Sequence, residues 1–279
     1  PSTGTVRAPL VVVADGGSSR LAVQLGLHRL ERRPMGVAIR AYYRSPRSDS
    51  AMMEGFLELT RATDATGTPR GARGRDRELL PGYGWIFPLA DGLVNVGWGL
   101  INTSKHFRST NYRVTLAQWV AGFPPAWGMG PDTLVGRPRS AGLPMGHNRK
   151  PPVHKGALLV GDAAGMVNPF NGEGISYAIE AGAFAAEAAD AALGARCDAP
   201  LATYQRTVEH AWGGYYTLGG VFLRVMGHPT VMRLCTELGM PRRTLMAFVF
   251  RVMAHLTDRR SKDFTDLVVN TLSRAVPPA

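Results

Sequence analysis

The chain has 279 residues, 45% of them hydrophobic, and a mean hydropathy of −0.07, values that exclude general disorder and fit a folded globular protein. Its longest uncharged run, Val114 to Pro131, falls short of the roughly 20 residues that a membrane-spanning helix needs; Cys197 and Cys235, isolated and without C-x-x-C spacing, exclude a disulfide framework and a zinc ribbon and fit a reducing cytosol. The net charge of +11 is concentrated in residues 1–50 and 206–262, and with no helix-turn-helix, zinc finger or RNP-like aromatic string beside it, it predicts an anionic surface or ligand rather than nucleic acid.

In chain order, Leu10-Val11-Val12-Val13 reads as a short buried strand closed by Ala14-Asp15-Gly16-Gly17, after which Leu21 and Leu25 take up helical spacing. From residue 35 the pattern changes to alternation, with Val37, Ile39, Ala41 and Tyr43 on one face and Arg40 and Arg44 on the other. Residues 67–78 are rich in Gly and Arg and read as an exposed loop. Tyr83, Trp85 and Phe87 alternate up to Pro88, Asp91-Gly92 supplies a hairpin turn, and Val94, Val96, Trp98 and Leu100 alternate away from it. A helix is expected over 111–123, where Leu116, Trp119, Val120 and Phe123 share a stripe. Ala157-Leu158-Leu159-Val160 is a second buried strand, followed by Gly161-Asp162-Ala163-Ala164-Gly165 and a small-residue helix from about Gly174 to Ala192; from 201 the pattern is helical to the end.

Two strand-end turns carry candidate chemistry. Asp15, Gly16 and Ser19 put a carboxylate at the carboxyl end of a parallel strand, where α/β proteins bind ligands, although A-D-G alone is ordinary turn chemistry. The second turn is more specific, because Gly161, Asp162 and Ala163 lead into Pro169, Gly172, Glu173, Gly174 and Ile175 at the mouth of the small-residue helix. A carboxylate there accepts hydrogen bonds from sugar or ribityl hydroxyls, glycines admit a flat ring, and a helix start stabilises negative charge. This suits a flavin better than a bare phosphate. The seven histidines show no metal-ligand spacing, so no metal is predicted.

The order strand–ADGxxS, antiparallel insertion, strand–GDAAGxxxPxxGEGI–small helix resembles the flavoprotein superfamily of aromatic hydroxylases. Within it, Pro81-Gly82-Tyr83-Gly84-Trp85-Ile86-Phe87-Pro88, followed by Asn95-Val96-Gly97, is similar to the Y-x-W-x-F-P substrate motif of the geranylgeranyl reductase branch, and most of all to its actinobacterial members that reduce isoprenoid side chains such as that of menaquinone. The likeness covers about residues 8–190. It implies that FAD is held by Asp15, Gly16, Ser19, Gly161, Asp162, Ala163, Pro169, Gly172, Glu173, Gly174 and Ile175, and that Tyr83, Trp85, Phe87, Pro88, Asn95 and Gly97 contact substrate, with Tyr83 as the catalytic polar group. Two departures stand out. Many relatives carry an Arg four residues after Ser19, where this chain has Val23, with Arg20 the nearby substitute, and no G-x-G-x-x-G occurs in the 279 residues. The family opens with that motif to hold the ADP part of FAD, so a truncated form, the C-terminal two-thirds of a longer enzyme, is expected.

These readings predict an α+β fold: an α/β FAD-binding remnant at 1–34 and 146–200, an antiparallel substrate sheet at 35–145 and a helical C-terminal cap at 201–279 whose aromatics cover the substrate domain. The function expected is FAD-dependent saturation of isolated C=C bonds in a polyprenyl chain held in an apolar tunnel walled by Tyr83, Trp85 and Phe87. The partners are a polyprenyl lipid and an unidentified electron donor, and the location is cytoplasmic with peripheral attachment to the inner face of the cell membrane. The alternatives are a flavin-dependent monooxygenase or halogenase on the same scaffold, and an inactive fragment unable to hold FAD.

Overall fold

Short apolar runs closed by glycine turns, and longer alternating strands, sort this chain into two sheets of different kind. The computed structural model describes residues 4–57, 59, 80–256 and 264–279; the loop expected at 67–78 lies outside the described residues. In chain order the elements are β1 (Val11–Val13), α1 (Arg20–Gln24), β2 (Met35–Arg44), β3 (Glu54–Phe56), β4 (Gly82–Pro88), β5 (Leu93–Ile101), α2 (Tyr112–Ala121), β6 (Leu134–Pro144), β7 (Val153–His154) and β8 (Ala157–Leu159). The helices α3 (Ile175–Ala195), α4 (Leu201–Val208), α5 (Gly214–Met226), α6 (Pro229–Leu234), α7 (Arg243–Met253) and α8 (Phe264–Ala275) follow. The chain forms two compact units, the first from Pro1–Met35, Leu143–Phe222 and Ala247–Ala279, the second from Gly36–Gly142 and Leu223–Met246. Strands and helices are mixed as the α+β reading predicts.

In the first unit, β1 and β8 pair in parallel with Val13 opposite Leu159, and β7 adds an antiparallel edge. Every residue of β8 is buried, as expected of a strand covered on both faces. The core continues through Tyr177, Ala181, Ala185, Ala188 and Ala192, a helical stripe along α3. Its small side chains have a local purpose: Gly161 has φ +56°, and a Cβ there would lie 2.8 Å from the Cβ of Ala178, so turn and helix meet only because neither carries bulk.

Trp212, Tyr215 and Tyr216 are buried in this same core. The reading that placed the C-terminal aromatics over the substrate domain is corrected for these residues, and the reason is polar as well as apolar. Tyr204 donates to the carbonyl of Leu159 (2.7 Å) and Tyr216 to that of Met166 (2.6 Å). These carbonyls, at the strand end and in the turn beyond it, thereby gain donors that a buried acceptor needs.

In the second unit the sheet order is β3-β4-β5-β2-β6. The β4–β5 hairpin pairs Pro88 with Val94, and its turn places both Asp91 (φ 63°) and Gly92 (φ 74°) in the left-handed region. Ile39, Ala41, Ile86, Val96, Trp98 and Leu100 bury one face of this sheet, packed with Leu116 and Val120 of α2. Trp119 of that helix stands over Gly84, where any side chain would collide with its ring.

Candidate functional site

The carboxyl ends of β1 and β8 lie side by side, and each leads into a turn that carries an aspartate. At the first, Ser19 caps α1, its Oγ accepting from the Ala22 N–H at 3.2 Å, while the Asp15 carboxylate accepts from the Leu21 N–H at 3.1 Å. Burial pushes the Asp15 carboxyl up, but hydrogen bonds from Ser19 and the backbone, with the charge of Arg149, outweigh it and hold the group below its ordinary value. Arg149 is a residue that sequence reasoning missed. It is buried, donates from Nη1 to the Ala163 carbonyl at 2.6 Å, and arrives from a distant loop, so no local pattern announces it. Arg20, the substitute expected after Ser19, is instead exposed.

At the second turn Asp162 is half-buried, and burial raises its carboxyl above the ordinary value. No side-chain hydrogen bond reaches it among the described residues, and its Oδ1 lies 3.2 Å from the place a Cβ on Gly174 would take. Gly174 is the N-cap of α3, so an unpartnered carboxylate, a glycine and a helix start converge at one strand end. A carboxylate so placed is free to accept hydroxyls, and the missing side chain leaves the backbone open to a flat ring, so these residues fit the polyol and ring of a flavin.

The loop from Asn168 to Gly174 is fixed by its own hydrogen bonds. Asn168 Oδ1 accepts from Phe170 N–H (2.8 Å), while its amide donates to Tyr215 Oη (3.2 Å) and to the Met253 carbonyl (3.1 Å). Asn168, buried and central to the loop, was not singled out from sequence; its signal is the Asn-Pro turn dipeptide. Glu173 receives the Ser176 N–H and Oγ–H at 2.8 and 2.7 Å and so serves the start of α3, and Gly172 has φ +75°. Pro169 packs against Gly219, and it and Ala163 are buried in the unit's interior, apart from the exposed Ile175, which is 77% accessible. The structure thus brings Asp162 and Gly174 together and turns Ala163 and Pro169 inward.

On the second unit, register settles which face each substrate candidate occupies. Tyr83 pairs with Gly99, Trp85 with Gly97 and Phe87 with Asn95, so these six share the face opposite the packed core. Ring centroids are 5.7 Å apart for Tyr83–Trp85 and 6.0 Å for Trp85–Phe87, a continuous aromatic ladder. The Trp85 ring lies over Gly97, and its indole N–H donates to Asn95 Oδ1 at 3.1 Å. Pro88 falls on the other face, at the end of the hairpin. The three aromatics are therefore half-buried residues outside the core that α2 covers.

No family model matches the chain. Among curated proteins it is 34% identical over 274 residues to the menaquinone reductase of Mycolicibacterium smegmatis, a match that covers 97% of this chain and 62% of that protein. It is 32% identical over 184 residues to digeranylgeranylglycerophospholipid reductase 2 of Methanosphaera stadtmanae, covering 64% of this chain and 40% of that one. The chain belongs to the geranylgeranyl reductase family. It spans about three-fifths of the length of the menaquinone reductase it matches. Two solved structures share the family fold. A geranylgeranyl bacteriochlorophyll reductase-like protein of Thermoplasma acidophilum superposes with a TM-score of 0.66 at 20% identity, covering 96% of this chain and 62% of that one. The flavin-dependent brominase Bmp2 superposes with a TM-score of 0.61 at 16% identity, covering 98% and 65%.

Proposed function

We propose that this protein acts in the flavin-dependent reduction of isolated C=C bonds in a polyprenyl chain. The observation that carries this reading is the ladder of Tyr83, Trp85 and Phe87, an apolar strip on the sheet face that the core does not use. Asp162 would hold the ribityl hydroxyls of FAD, with the backbone of Gly172 to Gly174 against its ring and the Asp15 turn beside it. When bound and reduced, the flavin supplies the hydride equivalent for alkene saturation. The chain's own task is to position an unactivated alkene and deliver a proton, and the Tyr83 hydroxyl is the group proposed to do so. An electron donor completes the reaction. The fold is shared with a brominase, but the relatives similar over most of the chain are reductases, which favours reduction over halogenation.

A prenyl substrate resides in a lipid phase, and no described helix is long and apolar enough to cross a membrane. Peripheral attachment to an anionic cytoplasmic membrane face is proposed instead. It is supported by Arg224, Arg233, Arg242 and Arg243, exposed in the same stretch as Leu234, Leu238 and Leu245.

The test is anaerobic incubation of the protein with FAD, dithionite and a prenyl quinone. Gain of two hydrogens per reduced bond, read by mass spectrometry, is the expected outcome. A hydroxylated or halogenated product formed only in air would replace this reading with an oxygenase one.

A further inference from the structure

The face that carries the aromatic ladder continues onto β2, and its chemistry changes there. Gly97 pairs with Trp85 on β4 and with Arg40 on β2, so Arg40 and Trp85 stand on opposite sides of one glycine, about 10 Å apart at the spacing of neighbouring strands. Tyr42 lies two residues on and pairs with Asn95. The Arg40 guanidinium rests over the Tyr42 ring, 4.8 Å from its centroid, and no carboxylate pairs with it among the described residues. Asn95 spends its carbonyl on the Trp85 indole N–H, which leaves its amide donor directed to the same face.

We propose that Arg40, with the Asn95 amide beside it, binds the polar head of the prenyl lipid while Tyr83, Trp85 and Phe87 hold its chain. The inference rests on the reading of this face as the substrate surface and adds which end of the substrate lies where. The polar groups here are donors and one is a fixed cation, so the head they fit is an acceptor, an oxyanion or a carbonyl oxygen, and not a cationic head such as choline. The ring faces offer mainly apolar area, and the ladder extends about 13 Å along the strand, the length of a few prenyl units. Gly97 has no side chain to separate the two regions, so one amphipathic molecule can lie across both.

The test is equilibrium binding in neutral detergent micelles, which requires no turnover. Three ligands are compared: geranylgeranyl diphosphate, a prenyl quinone, and squalene as a prenyl hydrocarbon without a head. Arg40→Ala is expected to weaken the diphosphate at least tenfold and the quinone severalfold while leaving squalene within twofold, and Arg40→Lys to retain part of the loss. Trp85→Ala is expected to weaken all three. A diphosphate-selective or quinone-selective loss identifies which head the site takes. Unchanged binding of both head-bearing ligands to Arg40→Ala, with squalene still bound, overturns the role of Arg40 and leaves the substrate face standing. If no prenyl ligand binds the unmodified protein, or Trp85→Ala alters none of them, the reading of the face fails and the proposal fails with it.

Discussion

Asp162 and Gly174 meet across the end of a parallel strand: a Cβ at position 174 would stand 3.2 Å from Asp162 Oδ1 and 3.3 Å from Val167 Cγ2. The carboxylate and the start of α3 are in contact because that side chain is missing. Gly174→Ala must shift its neighbours by a few tenths of an ångström. The expected stability loss is small, under about 1 kcal/mol, as for other tight but yielding contacts. Flavin retention is expected to fall about tenfold, because the shift disturbs both the carboxylate and the ring-facing backbone. Flavin absorbance on titration with FAD, read beside a thermal melt, separates the two. Parallel loss of both would assign Gly174 to packing alone.

Asp162 also sets a pH dependence whose sign follows from its burial. Its carboxyl titrates above the ordinary 3.8 in the folded protein, so the neutral form is the one that favours folding. That contribution is complete below the unfolded value and is lost as pH rises through the folded one. Near neutrality the buried anion is a cost. Asp162→Asn is therefore expected to raise the melting temperature at pH 7, with the gain vanishing below about pH 3.8. A variant less stable at pH 7 would mean that the carboxylate has a partner and does not stand free for a ligand.

His147 has the opposite sign. It is buried, its ring edge-on to Tyr216 at 4.9 Å, and burial, with the charges of Lys150 and Arg33, pushes its pKa down to about 3 against a backbone hydrogen bond to Ala279 that favours the cation. The neutral ring stabilises the fold above the unfolded value of 6.5, and that stability drains away as pH falls toward 3. The loss at the acid end is on the order of a few kcal/mol, from 1.36 kcal/mol per pKa unit. His147→Gln is expected to lower stability at pH 7 through lost packing yet flatten the decline between pH 6.5 and 4, read from urea unfolding at each pH. An unchanged slope would place the acid sensitivity elsewhere.

What the sequence shows and hides follows from range. The β4–β5 hairpin is legible because its alternation, its Asp91-Gly92 turn and its register are all local, and the shared face of Tyr83, Trp85 and Phe87 comes from the period of a strand alone. The strand end at Asp162 is legible for the same reason. The charge that Arg149 exerts on Asp15 is not, since it comes from beyond the insertion at 35–145 and nothing in the sequence marks position 149. Nor does helical periodicity in the tail reveal its destination. Tyr204 and Tyr216 display an apolar stripe that would suit either unit, and only the carbonyls of Leu159 and Met166 that their hydroxyls satisfy decide it.

The fit of Trp85 over Gly97 gives the most direct packing test. A Cβ at position 97 would overlap the Trp85 ring and would also come within 2.6 Å of the Ile39 carbonyl on β2, a backbone atom that cannot swing aside. Gly97→Ala is therefore expected to destabilise the protein by about 1–3 kcal/mol, the usual cost of forcing atoms into a filled space. Gly99→Ala, two residues along the same face, supplies the comparison. Its Cβ would meet the Val37 carbonyl at 3.4 Å and Ala38 Cβ at 3.7 Å, near ordinary contact, so its effect is expected to stay under about 1 kcal/mol. Removing the ring with Trp85→Ala in the Gly97→Ala background should recover part of the loss and not all of it, because the clash with Ile39 remains. Urea unfolding of the two single variants and the double variant measures this coupling. Additive losses would mean that the indole does not occupy the space above Gly97, and the continuous aromatic ladder would lose its middle member.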